Sequence, residues 1–365
     1  MPESSPVIER VAAAAFRIPT DAPEADGTIE WNSTTLVIAE ITAGAAMGLG
    51  YTYSAAATAR LINDVLAELL VGEEAFAIPR IWHKMFGAVR NLGARGICAT
   101  AISALDVALW DLKARCLDQA LARFIGLARP AVPIYGSGGF TSYSHEQLTA
   151  QLSAWAERDG CRFVKMKVGS QPENDVARVK TARAAIGAAE LFVDANGAYA
   201  RKQALAFAER FAEFGVTWFE EPVSSDDLDG LRLLRDRAPA SMDIAAGEYG
   251  YEPWYFQRML AAGAVDVIQA DATRCCGLTG FLRAAATADA HMIPLSAHCA
   301  PALHLHVCCA APRLRHIEWF HDHVRIEQML FDGAPTAKDG MIRPDLSRPG
   351  HGLEFKRADA TRFAI

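Results

Sequence analysis

The sequence predicts an α/β fold in which a barrel of eight parallel strands follows a smaller α+β unit. Short apolar segments end on ionisable residues about once every 20 to 29 residues, which is the spacing of one βα unit. The chain has 365 residues, whereas a plain eight-stranded barrel needs roughly 250. We therefore expect a second, smaller unit beside the barrel.

The composition is that of a globular protein that binds small molecules. Apolar residues make up 51% of the chain and charged residues 22%, which is enough for a large core. The net charge of -7 argues against a nucleic-acid surface. The eight cysteines contain no C-x-x-C motif, which suits reduced thiols and a cytoplasmic location. No charge-free apolar stretch of about 18 residues follows the amino terminus, so neither export nor a membrane span is expected.

The first unit is predicted to combine a strand with helices. Residues 34–42 (TTLVIAEIT) are rich in β-branched residues and end near Gly44 and the glycine cluster 48–50, so we expect a strand and then a turn. The segment before them, 19–31, is polar and turn-rich. Between 100 and 125 the apolar residues recur at helical spacing, and Gly126 provides a stop.

After Pro130 the pattern changes to short apolar segments separated by alanine-rich helical stretches, as in a parallel barrel. The predicted strands are 132–135, 162–168, 191–194, 216–219, 242–246, 265–270, 292–297 and 316–320. The tail from residue 330 shows no further βα unit, and we expect it to pack back on the first unit. The predicted divisions are a capping unit at 1–128, a barrel at 129–329 and a C-terminal segment at 330–365.

The segment FVKMKVG places two lysines on one face of a strand, because side chains alternate along a strand. An isolated K-x-K is most often a solvated edge. Here the face formed by Val164, Met166 and Val168 must meet the helices, so Lys165 and Lys167 would point into the barrel mouth. Two adjacent ammonium groups disfavour each other's protonation, so one of them could act as a base.

Three consecutive predicted strands end on a carboxylate: Asp194 in LFVDANG, Glu220 in TWFEEP and Glu248 in IAAGE. Neighbouring strands lie about 5 Å apart, so the three would repel strongly unless a hard cation lies among them. All-oxygen ligation favours Mg²⁺ over Zn²⁺. Helix capping or salt bridges would explain any single carboxylate but explain three in a row poorly. Glu221 alternates to the opposite face and is interpreted as structural.

The last strands are predicted to bring an imidazole beside a carboxylate. Asp271 in VIQADATRC and His298 in PLSAH end neighbouring strands. A lone buried histidine is usually a satisfied core residue, but an aspartate partner orients the ring and raises its basicity, which favours a catalytic role. Glu318 in HIEWF closes the ring and, if protonated, could donate to a substrate carboxylate or a developing enolate. His321 and His323 follow the last strand and either line the mouth or belong to a loop.

A competing metal site was considered in the segment LHLHVCC. Its side chains have the types that bind zinc. In a helix, however, residues two apart point away from each other, so only His304 and Cys308 share a face. We therefore expect no metal at His304, His306, Cys308 and Cys309.

The ordered set of motifs resembles the enolase superfamily, in particular its mandelate racemase-like branch. The matching segments are ALWDLKARCLDQAL, KMK, VDANG, FEEP, GE, QADATRCCG, SAH and IEW. The resemblance implies a modified (β/α)7β barrel of the TIM type with an N-terminal α+β capping domain, and commonly a symmetric homo-oligomer. Two departures stand out: Cys276 occupies a position where similar proteins often have glycine, and the predicted lid segments 26–31 and 48–53 match no known substrate pattern.

The resemblance also assigns roles to the motif residues. It assigns Mg²⁺ to Asp194, Glu220 and Glu248. It assigns one base to Lys167, with Lys165 as its electrostatic helper, and a second base to the pair His298 and Asp271. It assigns contacts with the bound acid to Glu318 and Asn196.

The implied chemistry is removal of the proton alpha to a carboxylate, giving an enediolate that Mg²⁺ and Glu318 stabilise. If the adjacent carbon carries a hydroxyl, His298 can return a proton and expel water. Otherwise the opposite base can reprotonate the carbon, which is racemisation or epimerisation. Because similar proteins with both base motifs are mostly acid-sugar dehydratases, the sequence predicts dehydration of an acid sugar to a 2-keto-3-deoxy acid, with the racemase or epimerase as the alternative.

Two rival functions follow from the same barrel. A Schiff-base lyase would also need an inward lysine, but it gains nothing from three clustered carboxylates. A ligand-binding barrel without catalysis would be expected to have lost one or more of the ionisable strand ends, and the sequence retains all of them.

Overall fold

The computed structural model describes residues 6–365. Its first part contains a three-stranded antiparallel sheet in the order β1-β2-β3. The strands are β1 (Arg10–Ala25), β2 (Glu30–Ala43) and β3 (Ala46–Tyr53). The predicted strand 34–42 is the centre of β2, whereas β1 and β3 were missed.

The segment 19–31, predicted as turn-rich, instead continues β1 and β2 into a long hairpin. The turn itself is short, and Asp26 closes it by accepting hydrogen bonds from the backbone N–H groups of Thr28 and Ile29 at 2.6 and 2.8 Å. The pairing register shifts between Pro19 and Glu24. Proline lacks the N–H that a ladder needs, so the strand is interrupted there rather than ended.

The predicted turn after the strand lies at Gly44, which has a φ of 59°, whereas Gly48 and Gly50 lie inside β3. The helix α4 (Ile97–Cys116) crosses β3 so closely that a Cβ at Gly48 or Gly50 would collide with its backbone at Ala108 or Ala104. These glycines therefore permit close packing of helix on sheet, a use that the sequence pattern does not distinguish from a turn.

Gly50→Ala is expected to destabilise the protein by about 1 to 3 kcal/mol, the usual range for overpacking. The new methyl would overlap the carbonyl oxygen of Ala104 and lie 2.7 Å from the backbone nitrogen of Ala108. The matched control is Gly87→Ala, since a Cβ at Gly87 meets nothing within 4 Å. That variant should be neutral or stabilised by about 0.4 to 1 kcal/mol. Denaturant unfolding of both variants tests this, and equal effects would contradict the close-packing explanation.

Of the remaining helices of the first part, the first three share an apolar core with α4 on the face of the sheet formed by Val37, Ala39 and Ile41, and the last packs into the core of the barrel. They are α1 (Ala56–Leu61), α2 (Ala67–Leu70), α3 (Ile78–Ala88) and α5 (Leu121–Ile125), with a π-helical turn at Ile62–Leu66 joining α1 to α2. The predicted helix 100–125 is therefore two helices, and Asp118, with a φ of 50°, lies in the break between them.

The second part is a closed barrel of eight parallel strands, which confirms the predicted fold class. The strands are β4 (Val132–Gly138), β5 (Phe163–Lys167), β6 (Glu190–Asp194), β7 (Val216–Glu220), β8 (Asp243–Ala246), β9 (Val267–Ala270), β10 (Leu295–Ala297) and β11 (Leu314–Phe320). Each strand pairs with the next in the chain, and β11 pairs with β4 to close the barrel.

Seven helices connect the eight strands and one follows the last strand. They are α6 (His145–Glu157), α7 (Pro172–Ala185), α8 (Arg201–Ala212), α9 (Leu228–Arg237), α10 (Pro253–Ala261), α11 (Gly277–Ala290), α12 (Pro301–Ala310) and α13 (His321–Leu330). The main core lies between strands and helices, and Val164, Met166 and Val168 of β5 face into it as predicted. No helix within the described range is both long and apolar enough to cross a membrane.

The helix α4 holds the first part against the barrel through polar contacts at the start of α11. Asp106 accepts hydrogen bonds from the backbone and side chain of Thr279 at 2.8 and 2.6 Å. Trp82 donates to the carbonyl of Cys276 at 2.9 Å. Cys276 adopts a φ of 64°, which explains why similar proteins favour glycine here. The turn keeps its left-handed form despite the side chain.

The C-terminal segment returns to the first part. It comprises β12 (Phe331–Asp332), β13 (Met341–Ile342), β14 (Glu354–Phe355), α14 (Arg357–Ala360) and a 3₁₀ turn at Thr361–Phe363. The ring of Phe355 lies 5.2 Å from that of Phe16, and His351 donates to the carbonyl of Leu49 at 2.7 Å. The division at 1–128, 129–329 and 330–365 stays a prediction.

Candidate active site

The ionisable residues predicted at the strand ends converge at the C-terminal mouth of the barrel and are buried. They are Lys165, Lys167, Asp194, Glu220, Glu248, Asp271, His298 and Glu318. The strand register explains the convergence, since Lys167 is paired with Asp194 and Asp194 with Glu220 across adjacent strands. Side chains of paired residues on parallel strands share a face, so all of these point inward.

Asp194, Glu220 and Glu248 each offer one oxygen such that the three oxygens lie within 4.8 Å of one another. Burial and the neighbouring Asp194 raise the pKa of Glu220 to about 8. The nearby positive charges therefore do not fully offset the repulsion among these carboxylates, although two lysines contact them. Three hard oxygen donors in a charge-poor, buried cluster fit a magnesium ion better than a softer metal.

The two lysines form ion pairs with this cluster. The Nζ of Lys165 lies 2.6 Å from Glu220, 2.8 Å from Glu318 and 3.4 Å from Asp194. The Nζ of Lys167 lies 2.5 Å from Oδ2 of Asp194. The two ammonium groups therefore supply the positive charge that faces the carboxylates of the candidate metal site.

The two lysines were expected to disfavour each other's protonation, so that one could act as a base, and that role stays a prediction. Burial and then Lys165 lower the pKa of Lys167, but the combined attraction of Asp194, Glu248 and Glu220 raises it above its usual value. Glu220 and Glu318 likewise raise the pKa of Lys165 well above its usual value against the effect of burial. A divalent cation held by the same carboxylates would remove much of this attraction.

His298 and Asp271 form the predicted pair. Nδ1 of His298 lies 2.9 Å from Oδ2 of Asp271, and the other oxygen of Asp271 accepts two hydrogen bonds from Thr273 at 2.7 Å. Burial opposes ionisation of Asp271, but His298 brings the pKa of the carboxyl well below its usual value. Nε2 of His298 lies 3.1 Å from Oε2 of Glu248, so the ring reaches the metal-binding cluster itself.

Glu318 lies between Lys165 and the pair, and its contacts favour the carboxylate form. Its Oε1 accepts from the hydroxyl of Ser137 at 2.6 Å, and its Oε2 from the backbone N–H of Cys299 at 3.0 Å. Burial favours the neutral acid, but Lys165 and His298 lower the pKa of Glu318 well below its usual value. These contacts do not favour the protonated form that would donate to a substrate, and a role for Glu318 at the substrate stays a prediction.

Sequence reasoning missed two residues at the mouth. Arg274 places Nη1 3.3 Å from Glu248 and Nε 3.6 Å from Asp271. Cys299 places Sγ 3.3 Å from both Nε2 of His298 and Oε2 of Glu318. Each is within three positions of a predicted site residue, and that proximity was the available signal.

The other candidate residues differ in their position relative to the barrel mouth. Asn196, with a φ of 47°, donates its backbone N–H to Asp194 at 2.9 Å. Glu221 is buried, and burial, then repulsion by Glu248, raises its pKa well above the usual value. His323 lies at the mouth, whereas His321 contacts Asp21 nearer the surface.

The histidines and cysteines of LHLHVCC lie in α12 and act structurally. His304 accepts a hydrogen bond from the backbone N–H of Ala272 at 2.7 Å, and His306 accepts one from Ala122 at 3.1 Å. Within residues 6–365, none of the side-chain clusters that could hold a metal includes the four residues of this motif.

A cavity of about 350 Å³ lies between the barrel mouth and the first part of the chain. The barrel contributes Lys167, Asn196, Glu248, His298 and Glu318 to its lining. The opposite wall is formed by Asp26, Ile29, Trp31, residues 33–35, Tyr53 and Ser54. The predicted lid segment 26–31 thus reaches the cavity, whereas 48–53 is a strand of which Tyr53 reaches it.

Comparison with known proteins agrees with this geometry. Residues 16–126 match the model of the mandelate racemase / muconate lactonizing enzyme N-terminal domain, and residues 147–360 match the enolase C-terminal domain-like model. A 3,6-anhydro-alpha-L-galactonate cycloisomerase from Streptomyces coelicolor is 32% identical over 96% of this chain and 98% of its own. An L-talarate/galactarate dehydratase from Salmonella typhimurium is 30% identical over 99% of this chain and 91% of its own.

Two solved structures are also similar over nearly their full lengths. A mandelate racemase/muconate lactonizing enzyme-like protein from Rubrobacter xylanophilus is 50% identical, with a TM-score of 0.96, 99% of this chain and 100% of that chain covered. A racemase from Streptomyces coelicolor with bound magnesium is 30% identical, with a TM-score of 0.92 over 98% of this chain and 100% of that chain.

Proposed function

Because this chain belongs to the mandelate racemase and muconate lactonizing enzyme family of the enolase superfamily, we propose that it is a Mg²⁺-dependent acid-sugar dehydratase. The reaction removes the proton alpha to the substrate carboxylate and expels the hydroxyl of the next carbon, giving a 2-keto-3-deoxy acid. The observation that carries the proposal is that Lys167, Glu248 and His298, whose ring contacts Asp271, line one cavity. We further propose a cytoplasmic homo-oligomer that binds neither nucleic acid nor membrane.

Asp194, Glu220 and Glu248 would hold the magnesium ion. Bound there, the ion supplies Lewis-acid stabilisation of the negative charge that develops on the substrate carboxylate. Lys165 adds a fixed positive charge beside the same carboxylates, at 2.6 Å from Glu220. Its complete burial prevents water from screening that charge.

Two groups can move protons on the substrate. Lys167 reaches the cavity from β5, and His298 reaches it from the end of β10 on another side of the barrel. One removes the alpha proton as a base. In dehydration, His298 donates the proton from Nε2 to the departing hydroxyl, which leaves as water, and Asp271 holds the ring in position at Nδ1. Arg274 and Glu318 hold the groups around the imidazole ring of His298 in place.

The racemase or epimerase alternative uses the same two groups and is favoured by the resemblance to the racemase structure from Streptomyces coelicolor. The similarity to a cycloisomerase of an anhydro sugar acid adds a related outcome, in which the expelled group is an ether oxygen of the substrate rather than a hydroxyl. All three outcomes begin with loss of the alpha proton.

A screen of mono- and dicarboxylic acid sugars with Mg²⁺ tests the proposal. We expect at least one compound to give a 2-keto product, measured by semicarbazide absorbance, with deuterium entering the product in heavy water. Absence of any keto product, with deuterium still exchanging into the alpha position of some acid, would reject dehydration in favour of the racemase. An anhydro acid as the sole source of keto product would favour the cycloisomerase.

A further inference from the structure

The cationic side chains that line the cavity all lie at its barrel end. Lys167 is paired with Asp194 at 2.5 Å, and Arg274 lies 3.3 Å from Glu248. His298 is held between Asp271 and Glu248. The reacting carboxylate of a substrate therefore has its positive partners at this end.

The opposite wall offers neutral hydrogen-bonding groups. Its hydroxyls come from residues 33–35, Tyr53 and Ser54. The Oη of Tyr53 on this wall, and the Oδ1 of Asn196 on the barrel side, are buried and lack a hydrogen-bond partner among residues 6–365. Buried polar atoms of this kind need partners, and the hydroxyl groups of a sugar chain can supply them.

His323 adds a neutral donor to this end of the cavity. Burial lowers its pKa to about 3, so the ring is uncharged near neutral pH. Its Nδ1 accepts the backbone N–H of Ala300 at 3.2 Å, which leaves the ring proton on Nε2. The ring stacks on Tyr53 at a centroid distance of 3.5 Å and is thereby fixed in place.

The charges in and behind this wall are mainly negative. Asp26 lines the cavity itself. Behind the lining, Glu24 accepts from the indole N–H of Trp31 at 2.8 Å, and Asp322 accepts from the hydroxyl of Thr34. Burial, then repulsion by Asp322, raises the pKa of Glu24 to about 8, so the negative charges near neutral pH are those of Asp26 and Asp322.

The one nearby cation is already engaged by other groups. Arg325 donates to Asp322 and to the carbonyl of Pro19, the latter at 2.6 Å. In the part of the chain that the structure describes, the lining from the first unit contains no lysine or arginine. A carboxylate placed here would lose hydration without gaining a counter-charge, which is costly.

From this charge distribution we propose that the substrate is a monocarboxylic acid sugar, an aldonate, and that the wall of β2 and β3 discriminates against aldarates. The carboxylate binds at the barrel mouth, and the neutral polyol end contacts Trp31, Thr35, Tyr53 and His323. The inference rests on the proposed function, because it takes the barrel mouth as the position of the reacting carboxylate.

Matched pairs of acids that differ only at the terminal carbon test the proposal. D-Gluconate is compared with D-glucarate and D-galactonate with galactarate, with Mg²⁺ present, for kcat/KM of keto product. In parallel, calorimetry measures the Kd of each acid for the magnesium-loaded protein. We expect a preference of at least about tenfold for the monoacid of a pair, of the order that one unfavourable polar group produces.

The two measurements separate failure of the inference from failure of the proposed function. Tighter binding of the monoacid with no keto product from either acid would support the substrate class and reject dehydration. Equal or better use of the diacid would overturn the inference while leaving dehydration intact. Failure of all four acids to bind would overturn the inference as well.

Two variants test whether the charge of this wall causes the preference for monoacids. Thr35→Lys adds a cation to the wall, and Thr35→Met adds similar bulk without charge. We expect the lysine variant to shift the diacid-to-monoacid ratio of kcat/KM upward by at least about tenfold relative to the methionine variant. Asp26→Asn keeps an acceptor for the backbone N–H groups of Thr28 and Ile29, removes a negative charge from the lining and should shift the ratio in the same direction. An unchanged ratio in both Thr35→Lys and Asp26→Asn would overturn the proposal.

Discussion

Replacing Lys167 by alanine is expected to lower kcat for keto-acid formation by about 100- to 10,000-fold, the range of a positioned acid or base. His298→Asn should cause a loss of the same order, because it removes the Nε2 that faces the cavity. Both side chains are buried at the mouth, and neither supports the apolar core. Steady-state kinetics with an acid sugar found in the screen measures the effect, and circular dichroism and magnesium calorimetry verify that fold and metal binding persist.

Deuterium exchange separates the two groups. One of the two variants lacks the group that removes the alpha proton, and it should no longer exchange that proton in heavy water. The other variant should retain exchange and lose only expulsion of the hydroxyl. The matched controls are Lys180→Ala, an exposed lysine on α7, and His291→Asn, at the end of α11. Full turnover in both Lys167→Ala and His298→Asn would reject the two-group scheme.

Removal of divalent metal should abolish turnover, and added Mg²⁺ should restore it. The Lewis-acid contribution is worth several kcal/mol, and each 1.36 kcal/mol corresponds to about tenfold in rate. Asp194→Asn should therefore lower kcat/KM by at least about 100-fold and weaken magnesium binding in calorimetry. The control is Asp226→Asn, an exposed aspartate outside the barrel mouth.

The same experiment distinguishes the magnesium mechanism from a Schiff-base lyase. That mechanism predicts turnover that survives EDTA and a covalent adduct when borohydride is added with substrate. Retained activity in EDTA together with such an adduct on Lys165 or Lys167 would contradict the magnesium mechanism.

The barrel was predictable because its signal is periodic. Each strand is a short apolar segment followed by an ionisable residue, and the register of parallel strands then brings Lys167, Asp194 and Glu220 side by side. The first part was harder to predict. The strand β1 is alanine-rich and β3 contains glycines, so neither shows the β-branched pattern of β2. Contacts between distant segments decide their structure, and no local pattern reports such contacts.

The sequence predicted which residues meet at the barrel mouth, but it did not predict their protonation states. Sequence spacing placed Asp271 near His298, and the structure brings their atoms to 2.9 Å. The protonation of Glu318 and of the lysines depends on which opposite charges lie within hydrogen-bond distance. Those distances follow from side-chain conformations, which a strand pattern does not specify. Cys299 and Arg274 lie beside predicted residues, yet their residue types alone do not indicate a role.

The position of the cavity between two separately folded layers has an evolutionary consequence. The reacting atoms belong to the barrel, and the groups that meet the far end of the ligand belong to the hairpin of β1 and β2 and to β3. Under the proposed function, substitutions in the hairpin would change which acid is accepted and leave the groups that move protons unaltered. Relatives with this architecture would then diverge in substrate through a few positions of the first part, with the reaction conserved.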